Sequence, residues 1–339
     1  MKKVLCGIIV AVGSLLAQGV MAGATFDAVK ARGTVNCGVN TGLAGLSMPD
    51  SNGNWAGVDV DLCRAIAAAM FGDANKAKYT GYTAQQRFTA LQSGEIDVLL
   101  RNTTITISRD TSLGFNYAGV NFYDGQAFIV PKKLNVSSLK DLAGATICIA
   151  TGTTHELTIA DWFRARNLSF QPLIIENQES MYQAFFAGRC DAMTQDSSAL
   201  AAAKAARAGN PDDYVILPDR ISKEPLGPLV RHGDDQWFDL VKWVLMAMIE
   251  AEEQGVTQAN ADQMLKSNNP EVQRLLGVTG NFGNGLGVDN KFVYNIVKQV
   301  GNYADSFDRH VGKNSPLKLE RGPNDLWTRG GLLYAIPFR

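Results

Sequence analysis

Residues 87–100 read RFTALQSGEIDVLL, in which a short amphipathic segment stops at a glycine and an apolar run follows. The first part predicts a helix over 87–92 that ends at Ser93-Gly94. The second part predicts a buried strand over 96–100. A helix that leads directly into a buried strand is the repeating unit of a sheet flanked by helices, so this stretch favours the α/β class.

The same pattern occurs upstream. Residues 34–39 are β-prone, and 61–71 (DLCRAIAAAMF) predict a helix with one apolar face that stops at Gly72-Asp73. Strand, helix and strand at this spacing indicate a parallel sheet.

The pattern then restarts in the middle of the chain. A buried strand is predicted over 145–150, a loop opening a helix over 152–156, a helix over 179–187 and a strand over 190–194. Two units with similar patterns predict two α/β lobes.

Beyond the second unit, prolines interrupt the helical pattern, and 217–229 are a candidate return crossing between the lobes. A long amphipathic helix is predicted over 237–253. Helical character continues over 256–275 and returns near 290–303.

The N-terminus predicts export. Lys2-Lys3 precede an apolar run over 4–20, and small residues follow, which is the layout of a signal peptide over 1–22 with cleavage after Ala22 or Ala24. A membrane anchor is the less favoured alternative, because the apolar run is short for a bilayer span and contains glycine and glutamine.

Composition excludes some classes of protein. Removal of the leader with its two lysines takes the net charge from −1 to −3, so nothing in the composition attracts nucleic acid. Apolar residues make up 46% of the chain, enough for two domains with sizeable cores.

Four cysteines remain after cleavage: Cys37, Cys63, Cys148 and Cys190. In an oxidising compartment they permit three connectivities. We favour Cys37–Cys63 and Cys148–Cys190, because each bridge would then lie within one lobe. Free buried thiols are the alternative. No metal site is predicted, since no Cys-x-x-Cys occurs and the histidines are far apart in sequence.

No hydrolase elbow, zinc-protease motif or phosphate-binding loop of the Walker type occurs. Polar residues instead follow a buried strand over 101–109, where Arg109 offers a planar fork suited to a carboxylate. Gly152-Thr153-Thr154 occupy the same end of a strand in the other half. Asp196 could accept from an amine, so the set is complementary to a zwitterion. Each group also has an ordinary structural interpretation, such as a strand end, a solvated helix start or an N-cap.

The chain resembles the family 3 solute-binding proteins, which are periplasmic receptors of polar amino-acid ABC importers. Gly57-Val58-Asp59-Val60-Asp61-Leu62, followed by the helix through Ala69, resembles the family signature, with Val58 where the family usually has an aromatic or larger aliphatic residue. The other matches stand in the family's order over about residues 32 to 255, at 90–97, 101–109, 152–154 and 188–192. The tail, at 295–303 and 330–334, resembles the general L-amino-acid-binding subgroup.

The resemblance implies a type II periplasmic-binding-protein fold, with two α/β lobes joined by two crossing strands and closing over one amino acid. Lobe 1 is expected over 24–123 and 228–339, including a C-terminal extension, and lobe 2 over 124–227. The implied protein is a periplasmic monomer without a cofactor that delivers its ligand to membrane permease subunits.

The resemblance also implies the ligand contacts. Arg109 would grip the α-carboxylate, assisted by Thr104 and by Thr154 beside Thr153. Asp196 would hold the α-ammonium, aided by Asn102.

Three further positions concern the ligand side chain. Arg87 and Gln178 fall where acidic-amino-acid receptors place side-chain-reading residues, although Arg87 could also be a helix-surface arginine. Leu43 stands where relatives that stack a cationic side chain have an aromatic, which argues against a strictly cationic ligand and fits a broad pocket.

An exported enzyme on the same fold, of the cyclohexadienyl dehydratase kind, is the alternative function. It would need a general acid in the cleft, for which His155 and Glu156 are the candidates. A binding protein that is not an enzyme is the favoured interpretation.

Overall fold

The computed structural model describes residues 23–339, and the predicted signal peptide over 1–22 lies outside this range. Among the described residues, no helix is both long and apolar enough to cross a membrane. In chain order the strands are β1 (Val35–Asn40), β2 (Met48–Pro49), β3 (Trp55–Ala56), β4 (Ala77–Tyr82), β5 (Val98–Leu99), β6 (Phe115–Tyr117), β7 (Phe122–Asp124), β8 (Gln126–Pro131), β9 (Thr146–Ala150), β10 (Gln171–Ile175), β11 (Ala192–Asp196), β12 (Tyr214–Ile216), β13 (Glu224–Leu226) and β14 (Leu229–Arg231). The α-helices are α1 (Ala24–Arg32), α2 (Val58–Phe71), α3 (Gln86–Ser93), α4 (Thr154–Arg164), α5 (Gln178–Phe186), α6 (Ser197–Arg207), α7 (Asp235–Glu253), α8 (Ala261–Met264), α9 (Pro270–Leu275), α10 (Phe282–Leu286), α11 (Phe292–Gln299) and α12 (Tyr303–His310).

Two five-stranded sheets organise these elements. The first has the order β4-β1-β5-β14-β6, with β1 parallel to β4 and β5, and β14 antiparallel to β5 and β6. The second has the order β10-β9-β11-β8-β12, with β9 parallel to β10 and β11, and β8 antiparallel to β11 and β12. Parallel strands followed by helices place polar strand ends along one edge of each sheet.

The chain passes from the first sheet to the second through β7 and returns through β13. These two strands pair with each other in antiparallel register, with Glu224 opposite Asp124 and Leu226 opposite Phe122. The prediction of two lobes joined by two crossing strands is therefore confirmed. We propose the limits 24–123 and 228–339 for the first lobe and 124–227 for the second, because the paired crossings lie at these positions.

The hydrophobic cores follow this division. A large cluster in the first lobe packs β1 against α2, α7 and α11, with fully buried side chains such as Val244 and Ile296. In the second lobe, one cluster contains Phe185 of α5 and another contains Phe163 of α4. Each lobe thus has its own apolar interior, and the large cluster also includes Ala199 and Ala202 of α6.

Helix α2 begins at Val58, three residues before the predicted start. Gly57 precedes it with φ 138°, and a Cβ at this position would lie 2.1 Å from the carbonyl oxygen of Leu46. Only glycine lets the chain approach so closely here. The helix ends at Gly72, which has φ 68°, as the sequence predicts.

The C-terminal extension, residues 256–339, packs on the first lobe, where α11 contacts both α2 and α7. The continuous helical character predicted over 256–275 divides into α8 and α9, because Pro270 starts a new helix capped by Asn269. The segment predicted near 290–303 likewise ends at α11, and Asn302 then caps α12.

Two disulfides link the pairs favoured from the sequence. Cys37 of β1 joins Cys63 of α2, and Cys148 of β9 joins Cys190, which lies just before β11. All four residues are buried. Each bridge therefore fastens elements of one lobe and leaves the crossing strands free of covalent links.

Replacing both Cys148 and Cys190 by alanine should lower the free energy of unfolding by ~4 kcal/mol, because the bridge closes a chain separation of 42 residues. The Cys37–Cys63 pair, separated by 26 residues, should give a slightly smaller loss. Urea unfolding of residues 23–339 would measure both. Unchanged unfolding midpoints would contradict the expectation that these bridges stabilise the lobes.

Candidate ligand-binding site

Polar side chains from both lobes meet at the ends of their parallel strands and enclose a cavity of about 20 Å³. That volume holds about one water molecule. The first lobe contributes Thr41, Arg101 and Asn102 to its lining, and the second contributes Thr153 and Gln195 among others. The two lobes are therefore closed on each other around a space of about one water molecule.

Direct hydrogen bonds cross the cleft. The Asn40 Nδ2 donates to Gln178 Oε1 at 3.0 Å, and the Asn102 Nδ2 donates to Asp196 Oδ2 at 3.1 Å. Gly152 comes so close to the first lobe that a Cβ on it would lie 2.8 Å from Cγ of Gln85. A glycine is thus needed at this position for the observed closure.

Asp196 lies at the end of β11 and is almost fully buried. Its Oδ1 is 3.0 Å from Nε2 of His155, the second residue of α4. Burial alone would raise the pKa of Asp196, but the charge and hydrogen bond of His155 hold it below its usual range, with help from Asn102 and Arg101. Burial would likewise lower the pKa of His155, and Asp196 outweighs it and raises that pKa. Asp196 and His155 therefore form a buried ion pair, with the negative charge on Asp196 and the positive charge on His155.

Arg109 is buried in a short π-helical turn over 108–112. Its Nη1 donates to the carbonyl oxygen of Thr104 at 2.7 Å, and its guanidinium lies 5.1 Å from the ring centre of Phe88. Burial lowers the pKa of Arg109, but a guanidinium stays charged in proteins. The guanidinium lies close enough to Glu224 and Asp196 for both carboxylates to raise its pKa against the effect of burial.

Arg87, on α3, is 2% exposed. Its guanidinium also lies over the ring of Phe88, 4.6 Å from the ring centre. Its Nη2 donates to the carbonyl oxygen of Gly152 at 3.4 Å, and its Nε has no partner within residues 23–339. Burial, together with the charges of Arg101 and Arg109, holds the pKa of Arg87 well below its usual value. A buried cation with an unused donor is the kind of group that an anionic ligand would satisfy.

Thr104 and Thr154 lie on opposite sides of the cleft and share one acceptor. Their hydroxyls donate to the same oxygen, Oε2 of Glu224 on β13, at 2.5 Å and 2.9 Å. Glu224 is 1% exposed. The two threonines are therefore already arranged to bind a carboxylate oxygen between the lobes.

Of the remaining predicted residues, two line the cavity and one lies in the hydrophobic core. Thr153 lines the cavity, although its own hydroxyl donates to the carbonyl oxygen of Ala150 at 2.7 Å. Gln178 lines it too. Leu43 does not: it packs in the apolar core of the first lobe, because its backbone bonds to Ser47 in a tight turn that directs the side chain inward. Thr41, two residues earlier, lines the cavity instead.

Sequence reasoning missed several members of the site. Asn40 ends β1 and Arg101 follows β5, so the rule that polar residues at strand ends face the cleft could have found both. His155 was considered only as a general acid. Glu224 lies on a crossing strand, where no local pattern marks it. Glu156, the other candidate acid, lies 3.5 Å from the Thr151 hydroxyl, a long contact.

Two α/β lobes on paired crossing strands, with opposed charged and hydroxyl groups between them, define a two-lobed ligand-binding protein. Residues 35–260 match the family of bacterial extracellular solute-binding proteins, family 3, and the chain belongs to this family.

Comparisons with individual proteins agree with this assignment. The chain is 54% identical over 330 residues, 96% of each sequence, to the general L-amino acid-binding periplasmic protein AapJ of Rhizobium johnstonii. It is 50% identical over 331 residues, 97% of each sequence, to the glutamate/glutamine/aspartate/asparagine-binding protein BztA of Rhodobacter capsulatus. A solved periplasmic binding protein of an ABC transporter from Brucella ovis, with glutathione bound, superimposes with a TM-score of 0.91 at 52% identity, covering 93% of this chain and 99% of that one. The predicted type II periplasmic-binding-protein fold is confirmed.

Proposed function

We propose that this protein is the periplasmic substrate-binding component of an ABC importer, which captures L-amino acids, including glutamate and aspartate, between its lobes. The observation that carries the proposal is the meeting of buried arginines and threonine hydroxyls with a buried aspartate where the two lobes close. The names of the relatives from Rhizobium johnstonii and Rhodobacter capsulatus support an amino-acid ligand of broad type.

The α-carboxylate would take the fork of Arg109 and the hydroxyls of Thr104 and Thr154. The α-ammonium would take Asp196, with Asn102 beside it. In the closed structure His155 already supplies a cation to Asp196 and Glu224 already supplies a carboxylate oxygen to both threonines. Each threonine hydroxyl has one proton, so the ligand carboxylate would take the place of the Glu224 oxygen when it binds. The two hydroxyls already converge on one carboxylate oxygen, which lowers the cost of ordering them for the ligand.

Ligand capture would proceed through lobe movement. The enclosed cavity is too small for an amino acid, so the lobes must separate about β7 and β13 to admit one. Because each lobe carries part of the contact set, the ligand favours closure over opening. The closed monomer would then be the form that the membrane permease subunits recognise, and no cofactor takes part.

Thermal-shift measurements of residues 23–339, oxidised, against the twenty L-amino acids and glutathione would test the proposal. We expect stabilisation by many amino acids, among them glutamate, aspartate and their amides, in proportion to ligand excess. Glutathione belongs in the panel because its γ-glutamyl end carries a free α-carboxylate and α-ammonium. Stabilisation by none of the amino acids would overturn the proposal, and turnover of prephenate or arogenate would favour an enzyme instead.

Arg87→Met should weaken binding of glutamate and aspartate by roughly 10- to 100-fold, since a hydrogen bond to a charged group contributes ~1.5–3 kcal/mol. Neutral amino acids should lose little, because they offer this guanidinium no side-chain carboxylate. Calorimetry with glutamate and alanine would measure the two effects. Arg189→Met, at an exposed site in the second lobe, is the matched control and should bind both ligands normally. An equal loss for both ligands in Arg87→Met would contradict a role in selectivity.

A further inference from the structure

We propose that part of the C-terminal extension, residues 303–332, is a hinge clamp: Asn324 holds crossing strand β7 in the closed arrangement and so slows release of the ligand. This inference rests on the proposed function, because the clamp acts on the same closure. The test therefore measures both hydrogen exchange at the hinge strand and the rate of ligand release.

Asn324 binds the hinge strand as a neighbouring strand would. Its side-chain Oδ1 accepts from the backbone N–H of Tyr123 at 2.6 Å, and its Nδ2 donates to the carbonyl oxygen of Tyr123 at 2.9 Å. Tyr123 lies opposite Pro225 of β13, so β13 covers one edge of β7 and the Asn324 amide covers the other. Asn324 is 4% exposed, and the two bonds satisfy both backbone groups of Tyr123.

The hinge clamp also contacts the two residues before Tyr123. The Tyr303 hydroxyl donates to the carbonyl oxygen of Asn121 at 2.9 Å, and the Phe307 ring stacks on Phe122 with ring centres 6.1 Å apart. Three consecutive residues at the start of the crossing are thus held by the hinge clamp.

The hinge clamp is anchored on the first lobe through Arg321. Its Nε donates to the carbonyl oxygen of Asn324 at 2.8 Å, and its Nη2 lies 3.0 Å from both carboxylate oxygens of Glu252 on α7. The position of Asn324 is therefore determined by the core of the first lobe. It does not depend on the second lobe, which moves when the cleft opens.

A short chain of contacts connects this grip to the ammonium acceptor. Asp124, the next residue after Tyr123, accepts from the backbone N–H groups of Ser197 and Ser198, each at 3.1 Å. These residues begin α6, directly after Asp196. A shift of β7 at Tyr123 is thus transmitted to the start of α6, where Asp196 lies.

The contact between Asn324 and β7 lies beside an open groove. A groove of about 790 Å³ lies between the hinge clamp, at Leu319 and Leu332, and the return crossing, at Ser222 and Pro225. Phe122, Tyr123 and Asn324 lie in the wall of this groove, so the contact between Asn324 and β7 borders open space. The hydrogen bonds of Asn324 can therefore break and form as the hinge moves, while the core of the first lobe remains intact.

The test uses residues 23–339 with Asn324→Ala, and with Asn314→Ala as the matched control at an exposed site of the same segment. Hydrogen exchange of the Tyr123 amide reports whether the grip is lost. Stopped-flow dissociation of glutamate reports closure. We expect Asn324→Ala to exchange the Tyr123 amide faster and to release glutamate roughly fivefold faster, with association little changed. Asn314→Ala should match the unmodified protein in both.

Tyr303→Phe removes only a hydroxyl and keeps the proposal testable if Asn324→Ala folds poorly; we expect a smaller acceleration of release in the same direction. Faster exchange with unchanged release in both variants would overturn the hinge clamp as a control on ligand retention. Unchanged exchange would overturn it altogether. A reduced melting temperature with normal release would mean a purely structural contact. If the unmodified protein binds no amino acid, the proposed function fails, and the exchange result alone then decides whether Asn324 holds the hinge.

Discussion

Arg109→Met is expected to weaken binding of every L-amino acid by ~30-fold to several thousand-fold. Arg109 is the buried guanidinium that we assign to the α-carboxylate, a group that all amino acids share. Removing one partner of a buried, hydrogen-bonded charge pair costs ~2–5 kcal/mol, which corresponds to that range of affinity. The loss should therefore be general, in contrast to the selective loss expected for Arg87→Met. Calorimetry with glutamate, glutamine and alanine would measure it.

Arg109→Lys provides the informative comparison. Lysine keeps the charge but lacks the planar fork that binds a carboxylate with two parallel hydrogen bonds, so most of the loss should remain. The carbonyl oxygen of Thr104 would also lose the donor that now lies 2.7 Å away. Normal affinity in Arg109→Met would show that the carboxylate is held elsewhere, most directly by Arg87 or Arg101.

Asp196→Asn should give the second large loss, again for all amino acids and of similar size. The variant keeps the shape of the side chain but removes the negative charge that would hold the α-ammonium. It also removes the main group that raises the pKa of His155, so this pKa should fall, because burial lowers it and only the weaker effects of Glu224 and Asp124 still raise it. Affinity for glutamate and the NMR titration of His155 would measure the two consequences in one protein.

Asp191→Asn is the matched control for this change. Asp191 lies five residues earlier in the same lobe, is exposed, and accepts from the backbone N–H of Thr146 at 2.8 Å. It should bind glutamate normally. If Asp196→Asn did so as well, Glu224 would be the next candidate for the ammonium contact, because it is buried beside the same threonines.

Much of the fold could be predicted from local patterns. The helix predicted over 87–92 is found as α3, Gln86–Ser93, and the long helix over 237–253 is found as α7, Asp235–Glu253. Both have strong apolar periodicity and clear end signals. The strand predicted over 96–100 is found as β5 at Val98–Leu99, paired with β1 and β14. The backbone N–H groups of Asp97 and Leu100 on either side also donate to carbonyl oxygens of β1. Pairing partners are set by tertiary structure, which a local pattern does not contain.

The candidate site could be predicted only in part, because it too depends on tertiary structure. Residues directly after strands or at helix starts, such as Asn102 and Thr154, are found at the cleft because sheet topology places all such ends on one edge. Glu224 was missed, because its role depends on where the return crossing passes between the lobes. Leu43 was expected at the pocket and lies in the core, because the turn over 43–47 determines which way its side chain faces.

The disulfide arrangement has a consequence for how the chain matures. Along the polypeptide the first bridged cysteine pairs with the second, and the third with the fourth. If the chain enters an oxidising compartment N-terminus first, Cys37 and Cys63 both arrive before Cys148 and Cys190. The first pair can then form its bridge before the second pair is present. Oxidation in order of emergence then yields the native connectivity without reshuffling of wrong bridges. Biogenesis of this receptor should accordingly require a thiol oxidase and be insensitive to loss of a disulfide isomerase.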